Sequence, residues 1–302
     1  MQATGATGLL ETLESEAIYI LREAVAQCER PILLFSGGKD STLLAHLARR
    51  AFAPGAIPFP FLHIDSGHNF PETLRFRDRL VAELRVELIV RRVEETIREG
   101  RAKDEGGPNP RRNRLQSVTL ADALAEFSWD CAIGGGRREE EKSRAKERVF
   151  SHRDRAGRWD PARQRPELWN LYNGMLLPGE HLRVFPLSNW TELDVWRYIA
   201  ERRIELPSLY YAHQRPVLRR NGVLLAEGPW NRPVDGEVAR SARVRFRTLG
   251  DMTCSGAVES EAQDASEVLE ELLGTRRSER SARADDRLSR WSMEERKSEG
   301  YF

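Results

Sequence analysis

Only three cysteines occur in 302 residues, Cys28, Cys131 and Cys254, and they stand far apart. No C-x-x-C exists, which argues against a disulfide scaffold, a zinc ribbon and a thioredoxin-type redox pair. No residue is assigned as a metal ligand. No apolar run approaches the roughly 18 residues of a membrane span, so no membrane association is expected. Charge of one sign is also missing: 48 Lys and Arg face 47 Asp and Glu, a net of +1. That balance argues against a general polyanion binder, and no nucleic-acid partner is expected. Residues 1–8 are small and polar, without the basic-then-apolar pattern of a signal peptide. The cytoplasm is the expected compartment.

What is present describes a globular chain, 40% hydrophobic and 31% charged. Residues 9–29 carry Leu10, Leu13, Ala17, Ile20, Leu21 and Ala24 at helical spacing. Residues 31–35 form a short apolar run, as in a strand buried on both faces. Further strands are predicted at 58–64, 86–90, 130–133 and 181–185, with helices at 42–50, 70–84, from Thr191 onward, and at 260–273. Strands alternating with helices predict an α/β fold with a parallel sheet and helices on both faces. Residues 1–205 are assigned to this nucleotide-binding domain. Residues 206–302 are assigned to a C-terminal extension, loop-rich with one helix and a polar tail, in contact with a partner or the active site.

Parallel sheets bind ligands beyond the carboxyl ends of their strands, at a topological switch point. Three predicted strand ends carry glycine and polar residues and should converge there. The first is Ser36-Gly37-Gly38-Lys39-Asp40-Ser41. Glycines let backbone approach a phosphate, and the start of a helix aims free N–H groups at it. Ser36, Ser41 and Lys39 add donors. This is not a Walker A loop: its first glycine would fall at Leu33, and Asp40 follows the lysine. The second end is Asp65-Ser66-Gly67-His68, where a carboxylate suits a ribose hydroxyl or Mg²⁺, or simply caps a helix. His63 reads as a buried, satisfied histidine, and His68 as the better candidate for the crevice.

The third is Gly134-Gly135-Gly136-Arg137-Arg138. From Arg137 to Arg165 there are five more positive than negative charges. Glu139, Glu140, Glu147 and Arg148 read as a solvated helix face. Arg137, Arg138, Lys142 and Arg144 lie nearest the strand end, where an oxyanion needs a guanidinium or an amine.

These residues, with 36–41 matching the S-G-G-x-D-S signature of PP-loop enzymes, resemble the bacterial sulfate adenylyltransferase small subunit. The further segments that carry the resemblance are 63–72, 134–153, 186–196, 243–260 and 295–302. The resemblance implies a PP-loop fold and the reaction of ATP with sulfate to give adenosine 5′-phosphosulfate and pyrophosphate. It implies ATP and Mg²⁺, and a GTP-binding large subunit whose GTP hydrolysis drives the step. On this basis Ser36, Gly37, Gly38, Lys39 and Ser41 are assigned to the β- and γ-phosphates. Asp40 caps the loop or contacts Mg²⁺. Asp65, Gly67, Gly135 and Gly136 are assigned to the nucleotide, and Lys39, Arg137 and Arg138 to catalysis, the two arginines on sulfate or the α-phosphate. Residues 243–251 and the tail are expected to order against the partner subunit or over the nucleotide. Where many relatives carry a cysteine after the Thr-Leu-Gly, this chain has Asp251, with Cys254 three positions on. Cys28 and Cys131 read as buried structural thiols. Two alternatives within the superfamily are a phosphosulfate reductase, which needs a reactive C-terminal cysteine or cysteine pairs, and a tRNA-modifying adenylating enzyme. A silent nucleotide-sensing subunit ranks below both.

Overall fold

The structure is a computed structural model that describes residues 3–104, 112–140, 142–234 and 236–274. The tail from 275 to 302, Glu141 and the side chain of Lys142 lie outside the described residues.

The first element is α1 (Ala3–Gln27), followed by β1 (Pro31–Leu34), α2 (Lys39–Phe52), β2 (Phe61–Asp65), α3 (Pro71–Leu84) and β3 (Leu88–Arg92). Then come α4 (Val93–Arg98), α5 (Asn113–Phe127), β4 (Cys131–Ile133), α6 (Lys142–Glu147), β5 (Phe150–Arg153), β6 (His181–Val184) and α7 (Glu192–Arg202). The chain continues through β7 (His213–Arg220), β8 (Val223–Ala226), β9 (Arg240–Phe246) and β10 (Gly256–Glu259) to α8 (Ala265–Leu273).

Six strands form one sheet in the order β3-β2-β1-β4-β6-β5, parallel except for the edge strand β5. The chain winds outward from β1 to β3, then returns to the other side of β1 at β4. The switch point therefore lies between β1 and β4, whose register pairs Ile32 with Ala132 and Leu33 with Ile133. Successive β1 residues serve opposite cores. Leu33 and Phe35 pack with α1, α2, α7 and α8, while Ile32 packs with Leu62, Leu120 and Leu124 under α5. That two-sided burial explains the unbroken apolar run.

Local chemistry sets the helix boundaries. Thr191 Oγ1 accepts from the Asp194 N–H at 3.1 Å, and Asp194 Oδ2 accepts from the Thr191 N–H at 3.0 Å, a reciprocal capping box. Pro71 opens α3, and Asp264 caps α8.

The structure corrects the expectation of a loop-rich extension after residue 206. Strands β7 to β10 close into a four-stranded antiparallel barrel around Val217, Leu224, Val244 and Phe246. Arginines alternate with apolar residues in β9, while β7 carries three arginines and Pro216 around Val217 and Leu218, which disguised both as loop. The Asn221-Gly222 turn between Arg220 and Val223 was the legible hairpin signal, with both residues at positive φ. Phe70, ahead of α3, plugs the barrel core 4.9 Å from the Phe246 ring and joins it to the sheet. Three further elements were not foreseen, the helices α4 and α5 and the antiparallel strand β5. The expected solvated helix after Arg137 is a single 3-10 turn at Arg138–Glu140 followed by the short α6. Within it Glu147 is buried, not solvated, and its carboxylate takes the Arg153 guanidinium at 2.5 Å.

Candidate active site

At the carboxyl end of β1 the chain turns through Ser36-Gly37-Gly38 into α2. Gly37 sits at φ +78°, and a Cβ there would lie 2.9 Å from the Thr73 methyl. Ser36 Oγ accepts from the Gly38 N–H at 3.2 Å, and Ser41 Oγ donates to the Gly38 carbonyl at 3.0 Å. The N-cap residue, Gly38, has no side chain to cap α2. The first N–H of the helix, on Lys39, donates instead to the Tyr210 hydroxyl at 2.7 Å, from the turn that leads into the barrel. The Lys39 side chain is buried, and its Nζ donates to Asp40 Oδ2 at 2.8 Å.

Across the switch point, Gly135 and Gly136 follow β4. A Cβ on Gly135 would lie 3.0 Å from that of Asp40, and one on Gly136 would meet the Phe185 ring at 3.0 Å and the Arg144 guanidinium. The glycines are there because the strand end runs directly over the start of α2. Arg137, 1% exposed, donates from Nε to Asp40 Oδ1 at 2.9 Å and pairs with Glu139 and Glu140 at 3.3 and 3.7 Å. Arg138 is exposed and donates to the Ser188 hydroxyl at 2.9 Å.

Between these edges lies a cavity of about 280 Å³. Ser36, Asp40, Ser41, Glu140 and Arg144 give it a polar wall. Leu34, Leu62, Ile64 and Leu120 give it an apolar one, with Gln116 and Ser117 of α5 at the side. The Ser117 hydroxyl is buried there without a hydrogen-bond partner. Leu249, Gly250 and Cys254, from the loop joining β9 to β10, close it from the barrel side. That loop is held by Asp251, whose Oδ1 accepts from the Thr253 and Cys254 N–H groups, both at 3.0 Å.

Of the predicted residues, Ser36, Asp40, Ser41, Gly135 and Gly136 line the cavity. Lys39 and Arg137 stand behind the wall and grip Asp40 from both sides. Arg138 does not reach the cavity. Among the described residues Arg144 is the one cationic side chain lining it, and it pairs with Glu140 at 3.4 Å. Sequence spacing named all three arginines near the strand end. It could not tell which would turn inward, because the 3-10 turn at Arg138–Glu140 breaks the helical phase.

The end of β2 also differs from expectation. Asp65 Oδ1 accepts from the Gly67 N–H at 2.8 Å and so shapes its own turn. Gly67, at φ +74°, leaves room for Glu94 and Arg112, and the lining carries Ile64 rather than Asp65 or Gly67. His68 is buried away from the cavity, stacked on Trp230 of the barrel at 4.0 Å. Its candidacy came from proximity in sequence, which the packing of the barrel overrides. His63 is buried in the core as expected but only half satisfied: its Nδ1–H donates to the Phe35 carbonyl at 2.9 Å, its Nε2 is buried without a hydrogen-bond partner, and burial lowers its pKa to about 4. Gln116, Ser117, Leu249 and Cys254 were not named as site residues. The 243–251 stretch carried a hint of Leu249 alone among these.

All three cysteines are free and buried. A hydrogen bond to Cys28, with burial, pushes the Cys131 thiol well above its ordinary value, so it is an inert core thiol. No described helix is long and apolar enough to cross a membrane.

Comparison with known proteins gives a consistent picture. The model of the phosphoadenosine phosphosulfate reductase domain matches residues 30–257. The sulfate adenylyltransferase subunit 2 of Streptomyces lavendulae is 56% identical over 97% of this chain and 92% of its own length. That of Mycobacterium sp. strain JLS is 57% identical, over 97% of this chain and 94% of its own. Among solved structures, phosphoadenylyl-sulfate reductase from Candida auris is similar at 16% identity with a TM-score of 0.42, covering 69% of this chain and 91% of that one.

Proposed function

The chain belongs to the sulfate adenylyltransferase subunit 2 family, nucleotidyltransferases that carry the phosphoadenosine phosphosulfate reductase domain, and we propose that it is the subunit in which sulfate displaces pyrophosphate from ATP. One observation carries this reading. The start of α2, whose N-cap residue is Gly38, and the side-chain-free edge at Gly135 and Gly136 meet on the wall of one cavity at the switch point. A helix N-terminus favours phosphate, and close backbone approach needs glycine.

In this reading the β- and γ-phosphates of ATP lie against Ser36, Gly37, Gly38 and Ser41. Lys39 acts through Asp40, because its amine is bound to that carboxylate and not directed into the cavity. The nucleoside follows the apolar wall. The α-phosphate then sits near Gly135, Gly136 and Arg144, and a sulfate oxygen attacks it in line while pyrophosphate leaves. Holding the two anions in line converts a bimolecular encounter into a local one. Arg144 and the helix N–H groups stabilise the charge that develops. Arg137 fixes Asp40, and Arg138 anchors the turn at Ser188. Asp65 and Gly67 shape the loop at the end of β2.

Mg²⁺ would be held between the phosphates of ATP and carboxylates of this chain. Asp40 and Glu140 are the carboxylates on the cavity wall, and one or two carboxylates plus phosphates match the way this ion is held. Bound there, it would supply neutralisation of phosphate charge. Among the described residues no group of three or more potential metal ligands occurs. Residues 1–205 bind the nucleotide, the β9–β10 loop closes the cavity, and the extension from 206 meets the partner. That partner is a GTP-binding large subunit, whose GTP hydrolysis drives an unfavourable equilibrium forward in the cytoplasm.

Pyrophosphate release, measured with ATP, Mg²⁺ and sulfate, tests the reading. Release is expected to depend on sulfate and to rise when the large subunit and GTP are added. Release of orthophosphate instead, or sulfite formation from phosphosulfate with thioredoxin, would overturn it.

A further inference from the structure

Residues 168–179 contain no charged residue in a chain that is 31% charged. Within them Leu168, Trp169, Leu171, Met175 and Leu177 are exposed, Trp169 by 85%. Single exposed apolar residues are ordinary, but five large ones together are the mark of a contact surface. Trp is moreover the side chain most often found at the energetic centre of interfaces.

The segment is anchored to the body of the protein. Tyr172 stacks on Phe150 of β5 with ring centroids 4.8 Å apart. The Gly174 N–H donates to Gln27 of α1 at 2.7 Å, and Arg165 donates to the Asn173 carbonyl at 2.9 Å. Glu167, just upstream, accepts from the Val149 and Phe150 N–H groups at 3.0 and 2.7 Å. From 171 to 175 exposed and buried residues alternate, with Tyr172 and Gly174 turned inward. Trp169 and Asn170 both take positive φ, 54° and 55°, unusual for residues with side chains. A held backbone that turns its large apolar side chains outward is prepared for a partner.

The rim states the partner's charge. Arg155 and Arg163 are exposed. Arg155 packs 3.2 Å from where a Cβ of Gly179 would sit. Glu180 is held below its ordinary pKa first by the Leu177 N–H and then by His152, with Arg163 adding to the effect. Relatives at 56–57% identity are each named as one subunit of a larger enzyme. We propose that residues 168–177 are a docking ridge that seats in an apolar groove of the large subunit, with carboxylates of that subunit facing Arg155 and Arg163. This rests on the subunit reading above.

Binding of the purified chain to the purified large subunit, followed by titration calorimetry and sedimentation, tests it. Trp169→Ser with Leu171→Ser and Met175→Ser is expected to weaken assembly about a hundredfold or more, as loss of a central apolar anchor does. Arg155→Glu with Arg163→Glu is expected to weaken it about tenfold, with the loss shrinking at high salt. ATP affinity of the isolated chain should stay unchanged in both, which also reports that they fold. Should the triple variant misfold, the charge-reversal variant decides alone. Wild-type affinity in the variants overturns the proposal, as does a wild-type chain that does not bind the large subunit. Self-association lost in the triple variant while assembly persists also overturns it. A complex that forms normally yet shows no sulfate-dependent pyrophosphate release would count against the proposed reaction and leave the ridge standing.

Discussion

Arg137 donates its Nε hydrogen to Asp40 Oδ1 at 2.9 Å and so ties the loop after β4 to the first turn of α2. The other oxygen of Asp40 takes Lys39 Nζ at 2.8 Å. Both cations are 1% exposed while Asp40 lines the cavity. One carboxylate thus fixes two buried charges beside the place where phosphates would lie. Removing the partner of a buried charge is costly, while the attraction in an intact pair only offsets its desolvation.

Asp40→Asn should therefore lose about 3 kcal/mol of stability and lower sulfate-dependent pyrophosphate release by about a hundredfold. Lys39→Ala should lower release by about tenfold, roughly 1.4 kcal/mol, without unfolding the protein. Because Lys39 acts through Asp40, the two losses should not add in the double variant. Denaturant melts and the pyrophosphate assay check this. Fully additive losses would mean that Lys39 touches substrate independently.

Gly135→Ala places a methyl group 3.0 Å from the Asp40 Cβ and 3.2 Å from its backbone carbon. Neither neighbour is a flexible side-chain end. The expected cost is about 1–3 kcal/mol, felt chiefly as a rise of about tenfold in KM for ATP with the fold retained. Steady-state kinetics and circular dichroism check it, and an unchanged KM would separate Gly135 from the nucleotide.

Cys254 lines the cavity, yet its thiol is buried and lies 3.5 Å from the Asp251 carbonyl. Its role in this reading is to fill the wall. Cys254→Ser should keep pyrophosphate release within about twofold, since an isosteric polar swap at a wall position costs little. ATP should slow alkylation of Cys254 in the wild type. Complete loss of activity in the serine variant would revive a thiol-dependent reaction.

Burial lowers the pKa of His63 to about 4 and of His181 to about 3. The unfolded chain protonates both near 6.5, so between that value and about 4 the unfolded state binds more protons. Stability is complete above pH 6.5 and falls as the pH drops through this window, by about 1.4 kcal/mol per pH unit for each histidine. Melts at pH 7.5 and 5 should differ by several kcal/mol, and His63→Asn should reduce the slope by about 1.4 kcal/mol per pH unit. A flat profile would mean that these histidines carry protons in the native state.

The sheet was legible because its physics is local. Ile32 and Leu33 are apolar on both faces, and the Thr191 cap and the Gly37-Gly38 turn announce themselves in the residues alone. The five parallel strands follow from such signals. The barrel was not legible, because β9 alternates arginine with apolar residues and reads as a charged loop until Phe70 fills its core. The site divided in the same way. Ser36, Asp40, Ser41, Gly135 and Gly136 stand on the cavity wall as their glycine-rich context suggested. Sequence shows the charge of Arg137 and not its partner, because Asp40 lies ninety-seven positions away. Ser117 and Cys254 reach the cavity only through tertiary packing, which no spacing rule reports.

The oxygen atoms of sulfate offer the most direct test of the central claim. With ¹⁸O-labelled sulfate, attack on the α-phosphorus must carry all the sulfate oxygens into the adenylyl product and none into pyrophosphate. Mass spectrometry should find the label wholly in adenosine 5′-phosphosulfate and, after hydrolysis of that product by P–O cleavage, wholly in the recovered sulfate. Label in pyrophosphate, or unlabelled orthophosphate as the product of ATP, would place the bond cleavage elsewhere and contradict the proposed reaction.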